Sequence, residues 1–291
     1  MEKNMNLTNI GTVRDILGRH GFSFSKGLGQ NFIINPEICP KIAENGNACS
    51  GFGILEIGTG IGVLTAELAK RADKVVAVEI DKRLMPILDE TLAEFDNVKI
   101  FNEDVMKCDL NKIISSEFGG LRAAVCANLP YYITSPVIMM LLESRLPIES
   151  ITVMVQKEAA QRLCAEVGTR DAGAITVGVN YFGTVKNLFG VSRGNFMPSP
   201  NVDSAVIRID VNKDTPLKAD EEKFFFSVVK SGFSQRRKTL ANALSSQMNT
   251  GKQEVYDALS AIGLPETARI EQIDMENLIN FSMRLMRNIR K

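Results

Sequence analysis

Tryptophan is absent from this 291-residue chain and histidine occurs once. No window approaches the run of about 20 apolar residues that a membrane span requires. Any histidine-based catalysis or His-rich metal site would have to rest on His20 alone, which reads as an ordinary surface or helix-end residue. The five cysteines, Cys39, Cys49, Cys108, Cys126 and Cys164, are odd in number, scattered, and never in a C-x-x-C pair. That excludes a disulfide framework and a zinc site, and predicts reduced, mostly buried thiols. The opening MEKNMNLTNIGTVRDILGRHGF lacks the apolar core of a signal peptide, so the expected location is the cytoplasm, away from any membrane. There is also no charge excess: 34 basic residues balance 34 acidic ones, where a phosphate-binding protein usually carries a basic surplus.

What is present is an ordinary globular composition, 45% apolar and 23% charged, long enough for one large domain and a smaller one. The charge is unevenly placed. Between Lys223 and Lys252 lie six basic residues, including Lys230, Arg236, Arg237 and Lys238, and no acid. Arg284, Arg287, Arg290 and Lys291 close the chain. Taken alone the C-terminal cluster is equally well a solvated helix face; the two clusters together predict a basic side to the second domain.

From Phe52 to Gln156 short apolar runs alternate with amphipathic stretches. GILEI, KVVAVE, NVKIF, AAVCAN and SITVMVQ read as strands, and GVLTAELAKRA as a helix with an apolar face. Such alternation predicts an α/β, Rossmann-like, mostly parallel sheet with helices on both faces. VKNLFGVS and DSAVIRIDV, separated by GNFMPSPNV, are expected as an antiparallel pair at one sheet edge. Strands then cease, and FFFSVVKSGF, RKTLANALSSQM, KQEVYDALSAI and MENLINFSMRLMRNI carry a helical pattern. The expected domains are 1–212 and a small all-helical domain, 213–291.

In open parallel sheets ligands bind beyond the carboxyl ends of the strands. The first such end, EIGTGIGVLT, places Gly58, Gly60 and Gly62 between a strand and a helix, where backbone can approach a ligand closely. Glu79 follows Gly58 by 21 residues and ends the second strand, a position suited to accept hydrogen bonds from both ribose hydroxyls. Asp104, past the third strand, is placed to accept from an adenine amine while Val105 offers its backbone amide; a turn or helix-cap role competes for Asp104. These three imply an adenosine cofactor without separating a methyl donor from a nicotinamide. The fourth end, NLPYY, makes that separation. An adenine N6 is a weak nucleophile because its lone pair is delocalised into the ring, and two acceptors on its hydrogens would localise that pair. The Asn128 side-chain oxygen and a main-chain carbonyl in the Leu129–Pro130 turn form such a pair, with Tyr131 as a stacking face. A proline turn with two aromatic core residues is the bland reading of the same letters.

GLGQNFIINP, EIGTGIGVLT, VVAVEID, NEDVM, ANLPYYITSPV and NFMPSPNVDSAV, in this order and over nearly the full length, resemble the small-subunit ribosomal RNA adenine dimethyltransferases of the KsgA/RsmA type. The resemblance implies a class I S-adenosylmethionine-dependent methyltransferase domain, its sheet carrying one antiparallel strand, followed by a small helical domain that holds the RNA backbone, and the basic cluster read from the charge pattern makes Lys230, Arg236, Arg237 and Lys238 the expected RNA contacts. It implies Asn31 and Ile33 on the cofactor with Gln30 nearby, Gly58 at its methionine half, Glu79 on the ribose, Asp104 on the adenine, Asn128 beside the transferred methyl, and Phe196 near the target base. Ile33 stands where the family has leucine, a change that leaves a main-chain contact intact. From the residues alone GQNFIINP is a polar turn before a helix opened by Pro36, and Phe196 is a loop anchor.

The implied reaction converts two adjacent adenosines, in a hairpin near the 3′ end of 16S rRNA, to N6,N6-dimethyladenosine. The donor would be S-adenosylmethionine, with no metal, and the partner a pre-30S particle; a monomer is expected. The rivals are a large-subunit (23S) rRNA adenine methyltransferase conferring macrolide resistance, a non-catalytic assembly factor, and a nicotinamide oxidoreductase, which leaves NLPYY and FMPSP unexplained.

Overall fold

The computed structural model describes residues 5–248 and 250–289, apart from the side chain of Lys26; Arg290 and Lys291 of the expected C-terminal cluster lie outside them. In chain order the elements are α1 (Ile10–Arg19), β1 (Phe32–Ile33), α2 (Ile38–Asn45), β2 (Phe52–Ile57), α3 (Val63–Ala69), β3 (Lys74–Val78), α4 (Met85–Thr91) and β4 (Val98–Phe101). Then come α5 (Leu110–Glu117), β5 (Arg122–Asn128), α6 (Thr134–Glu143), β6 (Ile148–Gln156), α7 (Lys157–Leu163), α8 (Ala174–Phe182), β7 (Gly183–Val191), β8 (Phe196–Met197) and β9 (Ser204–Val211). Four helices finish the chain: α9 (Ala219–Ser234), α10 (Leu240–Gln247), α11 (Lys252–Ser260) and α12 (Met275–Ile289).

The chain divides into two units, Met1–Ala160 with Val185–Val211, and Gln161–Thr184 with Asn212–Lys291. In the first unit every residue of β2 is buried, as a strand covered by helices on both faces must be. It pairs in parallel with β3 and β5; β4 and β6 extend the sheet, also in parallel. The seven-stranded order is β4-β3-β2-β5-β6-β9-β7. β9 runs antiparallel to β6, from Ser150↔Asp210 to Gln156↔Ser204. At one end of β7 the Phe182 carbonyl accepts from the Asn212 amide, and at the other the Arg193 amide donates to Asp203, so β7 and β9 also run in opposite directions. The expected edge pair is therefore present, with the later strand inserted inside the earlier one. A separate two-stranded ribbon joins β1 to β8, Phe32↔Met197 and Ile33↔Phe196. The helix expected to open at Pro36 begins two residues later, at Ile38.

The second unit is helical. α9 buries Phe225, Val228, Val229 and Gly232, and α12 buries Leu278, Phe281, Ser282, Leu285 and Met286, the i, i+3, i+4, i+7 spacing of one helix face. The second unit resumes at Asn212, one residue before the expected boundary. Residues 161–184, expected in the first domain, cluster here instead: Tyr181 and Phe182 of α8 stack on Phe225 and Phe226 of α9, with ring centroids 5.3 and 5.5 Å apart. All five cysteines are free, but only Cys39 and Cys126 are buried; Cys49 is exposed and the others half-buried, because they sit at element ends rather than inside the sheet. Among the described residues no helix is long and apolar enough to cross a membrane.

Candidate active site

Three strand ends of the first unit converge as the sheet topology dictates. After β2 the chain turns through Gly58 and Gly60, with φ of 76° and 54°, to Gly62, which caps α3. Beyond β3, Glu79 is buried. Its Oε2 accepts from the Thr59 amide at 2.9 Å and the Thr59 hydroxyl at 3.0 Å, and its Oε1 accepts from the Asp81 amide at 2.9 Å. Burial raises its pKa and these donors oppose the rise. The Gly60 backbone amide also favours the charged carboxylate, whose two oxygens offer about four acceptor sites. Beyond β4, Asp104 is half-buried; its Oδ1 accepts from the Met106 amide at 3.0 Å, closing a turn. The helix cap that competed for Asp104 belongs to Asp109, which accepts from the Lys112 amide at the start of α5.

The end of β5 is held from several sides. The Asn128 amide nitrogen donates to the Asn31 carbonyl at 3.3 Å, which turns its oxygen away from that partner. The Leu129 amide donates to Met154 of β6 at 3.2 Å. The Pro130 carbonyl accepts from the Ile133 amide at 3.1 Å and the Thr134 hydroxyl at 3.4 Å, and so is used by the turn itself. The Tyr131 hydroxyl lies 2.7 Å from that of Ser204 on β9, which fixes the plane of the half-buried ring. Asn31 donates to the Gly29 carbonyl at 3.0 Å, and Gln30 links the Ser25 amide (2.9 Å) to Asp81 (2.7 Å). The β1–β8 ribbon sets Phe196, which is buried in the core, directly beside Ile33.

These pieces enclose one cleft of about 220 Å³. Every expected cofactor and catalytic position lines it, from Asn31 and Ile33 through Gly58, Gly60, Glu79, Asp104 and Val105 to Asn128, Leu129, Pro130, Tyr131 and Phe196. The sequence reading missed Glu56, which also lines the cleft. The signal was available: an acid inside the apolar run GILEI has to be explained if the strand is buried on both faces. Glu56 is fully buried and neither carboxyl oxygen has a hydrogen-bond partner; burial pushes its pKa up to about 8.

The expected RNA-contacting residues belong to the second unit. Lys230 is exposed on α9, and Arg237 and Lys238 are exposed in the turn that follows it. Arg236 is half-buried, its guanidinium donating to the Arg170 carbonyl. His20 ends α1 and meets Glu90 of α4 at 2.7 Å, the helix-end role expected of it.

A sheet of this order, with a single antiparallel strand and its ligand cleft over the carboxyl ends of the parallel ones, defines an α/β methyltransferase. Residues 21–286 match the family model described as ribosomal RNA adenine dimethylase, and the chain belongs to that family. It is 47% identical over 280 residues to a ribosomal RNA small subunit methyltransferase A of Geobacillus thermodenitrificans (strain NG80-2), covering 95% of this chain and 96% of that one. Among solved structures it is similar to a dimethyladenosine transferase from Plasmodium falciparum, with a TM-score of 0.75 and 24% identity over 88% of this chain and 98% of that one. A 23S rRNA methyltransferase, ErmE, follows with a TM-score of 0.66 and 26% identity, over 88% of this chain and all of the other.

Proposed function

We propose that this protein transfers methyl groups from S-adenosylmethionine to N6 of two adjacent adenosines in a hairpin near the 3′ end of 16S rRNA, yielding N6,N6-dimethyladenosine in a pre-30S particle. The observation that carries the chemistry is the orientation of Asn128: with its nitrogen committed to the Asn31 carbonyl, its oxygen is the atom left to accept from an amine in the cleft. The Pro130 carbonyl serves the turn, so the second acceptor in this reading is the Leu129 carbonyl. Together they would draw the N6 lone pair out of conjugation and aim it, a positioning and electrostatic effect in which no metal takes part. Tyr131, held by Ser204, would stack on the base, and Phe196 would close the far wall. The small-subunit assignment rests on the likeness to the methyltransferase A of Geobacillus thermodenitrificans.

The cleft fits an adenosine-bearing cationic donor. Two buried carboxyls, Glu56 and Glu79, line it. A Cβ on Gly58 would meet no atom within 4 Å, so the space beside that backbone is open. Asn31, Ile33, Gly58, Gly60, Glu79, Asp104, Val105 and Asn128 would hold the donor, which supplies an electrophilic methyl group on a sulfonium. Lys230, Arg236, Arg237 and Lys238 would contact the RNA backbone. The protein would act as a monomer in the cytoplasm.

The test is to incubate the protein with methyl-labelled S-adenosylmethionine and undermethylated 30S or 50S particles, then identify the labelled nucleoside. Dimethyladenosine from 30S alone, reduced roughly a hundredfold or more in rate by Asn128→Ala, is the expected result. Label in 50S alone would move the substrate to the large subunit, the activity named for the similar ErmE. Donor binding with no label in either would leave a non-catalytic assembly role.

A further inference from the structure

Glu56 is a fully buried ionisable side chain of the cleft that the proposed reaction does not use. It sits on β2 beside Cys126 of β5, fully buried, with neither oxygen hydrogen-bonded. Thr65 of α3 is near enough to ease its charge without closing a bond. The groups facing it give no cation: Glu79 of β3 opposes its ionisation, and Cys39 of α2 and Cys126 of β5 are buried thiols that burial keeps protonated. Arg208 of β9, a basic group that acts on the neighbouring Cys126, is bonded to Asp210 and to Asn45 and Asn47. A carboxylate in this position would be a buried charge with no counter-ion, a costly state unless an ion enters the cleft.

We propose that Glu56 is a proton-exchanging counter-charge to the sulfonium of the methyl donor: it is a neutral carboxylic acid in the empty cleft, releases its proton when the cationic donor binds, and takes one back once the methyl has left and the product is a neutral thioether. This rests on the methyl-donor reading above. Donor and product differ by one positive charge, and Glu56 ties their discrimination to pH. On donor binding the O–H bond of Glu56 breaks and the proton passes to solvent; after transfer the reverse occurs, with no other reactant. Donor affinity should rise by up to roughly tenfold per pH unit in the range below pH 8 and level off above it.

The experiment is isothermal calorimetry of the full chain with S-adenosylmethionine and with S-adenosylhomocysteine, in buffers of different ionisation enthalpy near pH 7, for wild type and Glu56→Gln. The difference between wild type and variant removes proton exchange by the ligands' own amines. Up to one proton more released by wild type than by the variant with the donor, and no such difference with the thioether, is the expected result. Equal proton release by wild type and variant overturns the proposal. If the variant does not fold, the infrared difference spectrum of the wild type decides: the carbonyl stretch of a protonated carboxylic acid should disappear with the donor and persist with the thioether, and its persistence with the donor overturns the idea. Absence of donor binding altogether would instead defeat the methyltransferase reading.

Discussion

At the scale of single residues, Glu56 makes stability depend on pH. Its pKa in the folded chain, about 8, lies above the ordinary carboxylate value, so over the interval between them the folded state binds the extra proton. The stabilisation is complete below the ordinary value and is lost as pH rises toward 8. The thermal unfolding temperature of the ligand-free wild type should therefore fall as pH rises across that interval, while Glu56→Gln shows a flatter profile; parallel profiles would contradict the neutral-acid state. Two glycines separate strain from clash. Gly58→Ala meets open space, so it should cost only about 1–2 kcal/mol for the positive φ, while weakening donor binding by narrowing the cleft. Gly53→Ala places a Cβ 2.5 Å from the Phe118 ring, and should cost about 1–3 kcal/mol with donor affinity intact. Glu79, Asp104 and Asn128 were legible in the sequence because a strand end can be read from hydrophobic runs, and topology then brings strand ends together. Glu56 escaped because it lies inside a run, where attention goes to the apolar letters.

Among elements, the β1–β8 ribbon was not legible. Its strands are two residues long and far apart in sequence, and neither GQNFIINP nor FMPSP carries enough periodicity to mark a pairing. Only the family resemblance drew Asn31, Ile33 and Phe196 to the site, and the ribbon is the reason they meet there. Phe196 is both buried in the core and part of the cleft wall, and two substitutions divide those roles. Phe196→Ala removes a buried ring and should cost about 3–5 kcal/mol, measured by denaturant unfolding. Phe196→Leu restores most of the packing, so it should lower stability by less than about 1.5 kcal/mol. If the ring also faces the base or its developing charge, the leucine variant should still lose roughly tenfold in kcat, about 1.4 kcal/mol of cation–π stabilisation. Activity that instead follows stability in both variants would leave Phe196 a loop anchor. The same limit explains α8: its length and apolar letters suit either unit, and side-chain contacts such as the stack of Tyr181 and Phe182 on α9 and the Tyr181 hydroxyl donating to Glu222 assign it to the second.

For the whole molecule, the balance of 34 basic and 34 acidic residues gives no long-range attraction for RNA, so affinity has to come from local placement. The described basic residues that remain exposed in the second unit include Lys230, Arg237 and Lys238, with Arg284 and Arg287 on α12; Arg236 is engaged with the Arg170 carbonyl. A double substitution, Arg237→Glu with Lys238→Glu, touches none of the cleft residues. It should therefore raise KM for 30S particles and leave the dissociation constant of S-adenosylmethionine unchanged. Counterion release gives the sharper readout: for every RNA phosphate no longer neutralised, the slope of log affinity against log salt should become shallower by about 0.7–0.9. A KM increase with an unchanged slope would mean that the substitutions disturbed the fold of the turn rather than its pairing with phosphate, and unfolding of the second unit would show it. If neither KM nor slope moves, the RNA is held elsewhere, and the uncharged balance of the chain would then imply that the ribosomal particle's proteins supply much of the binding.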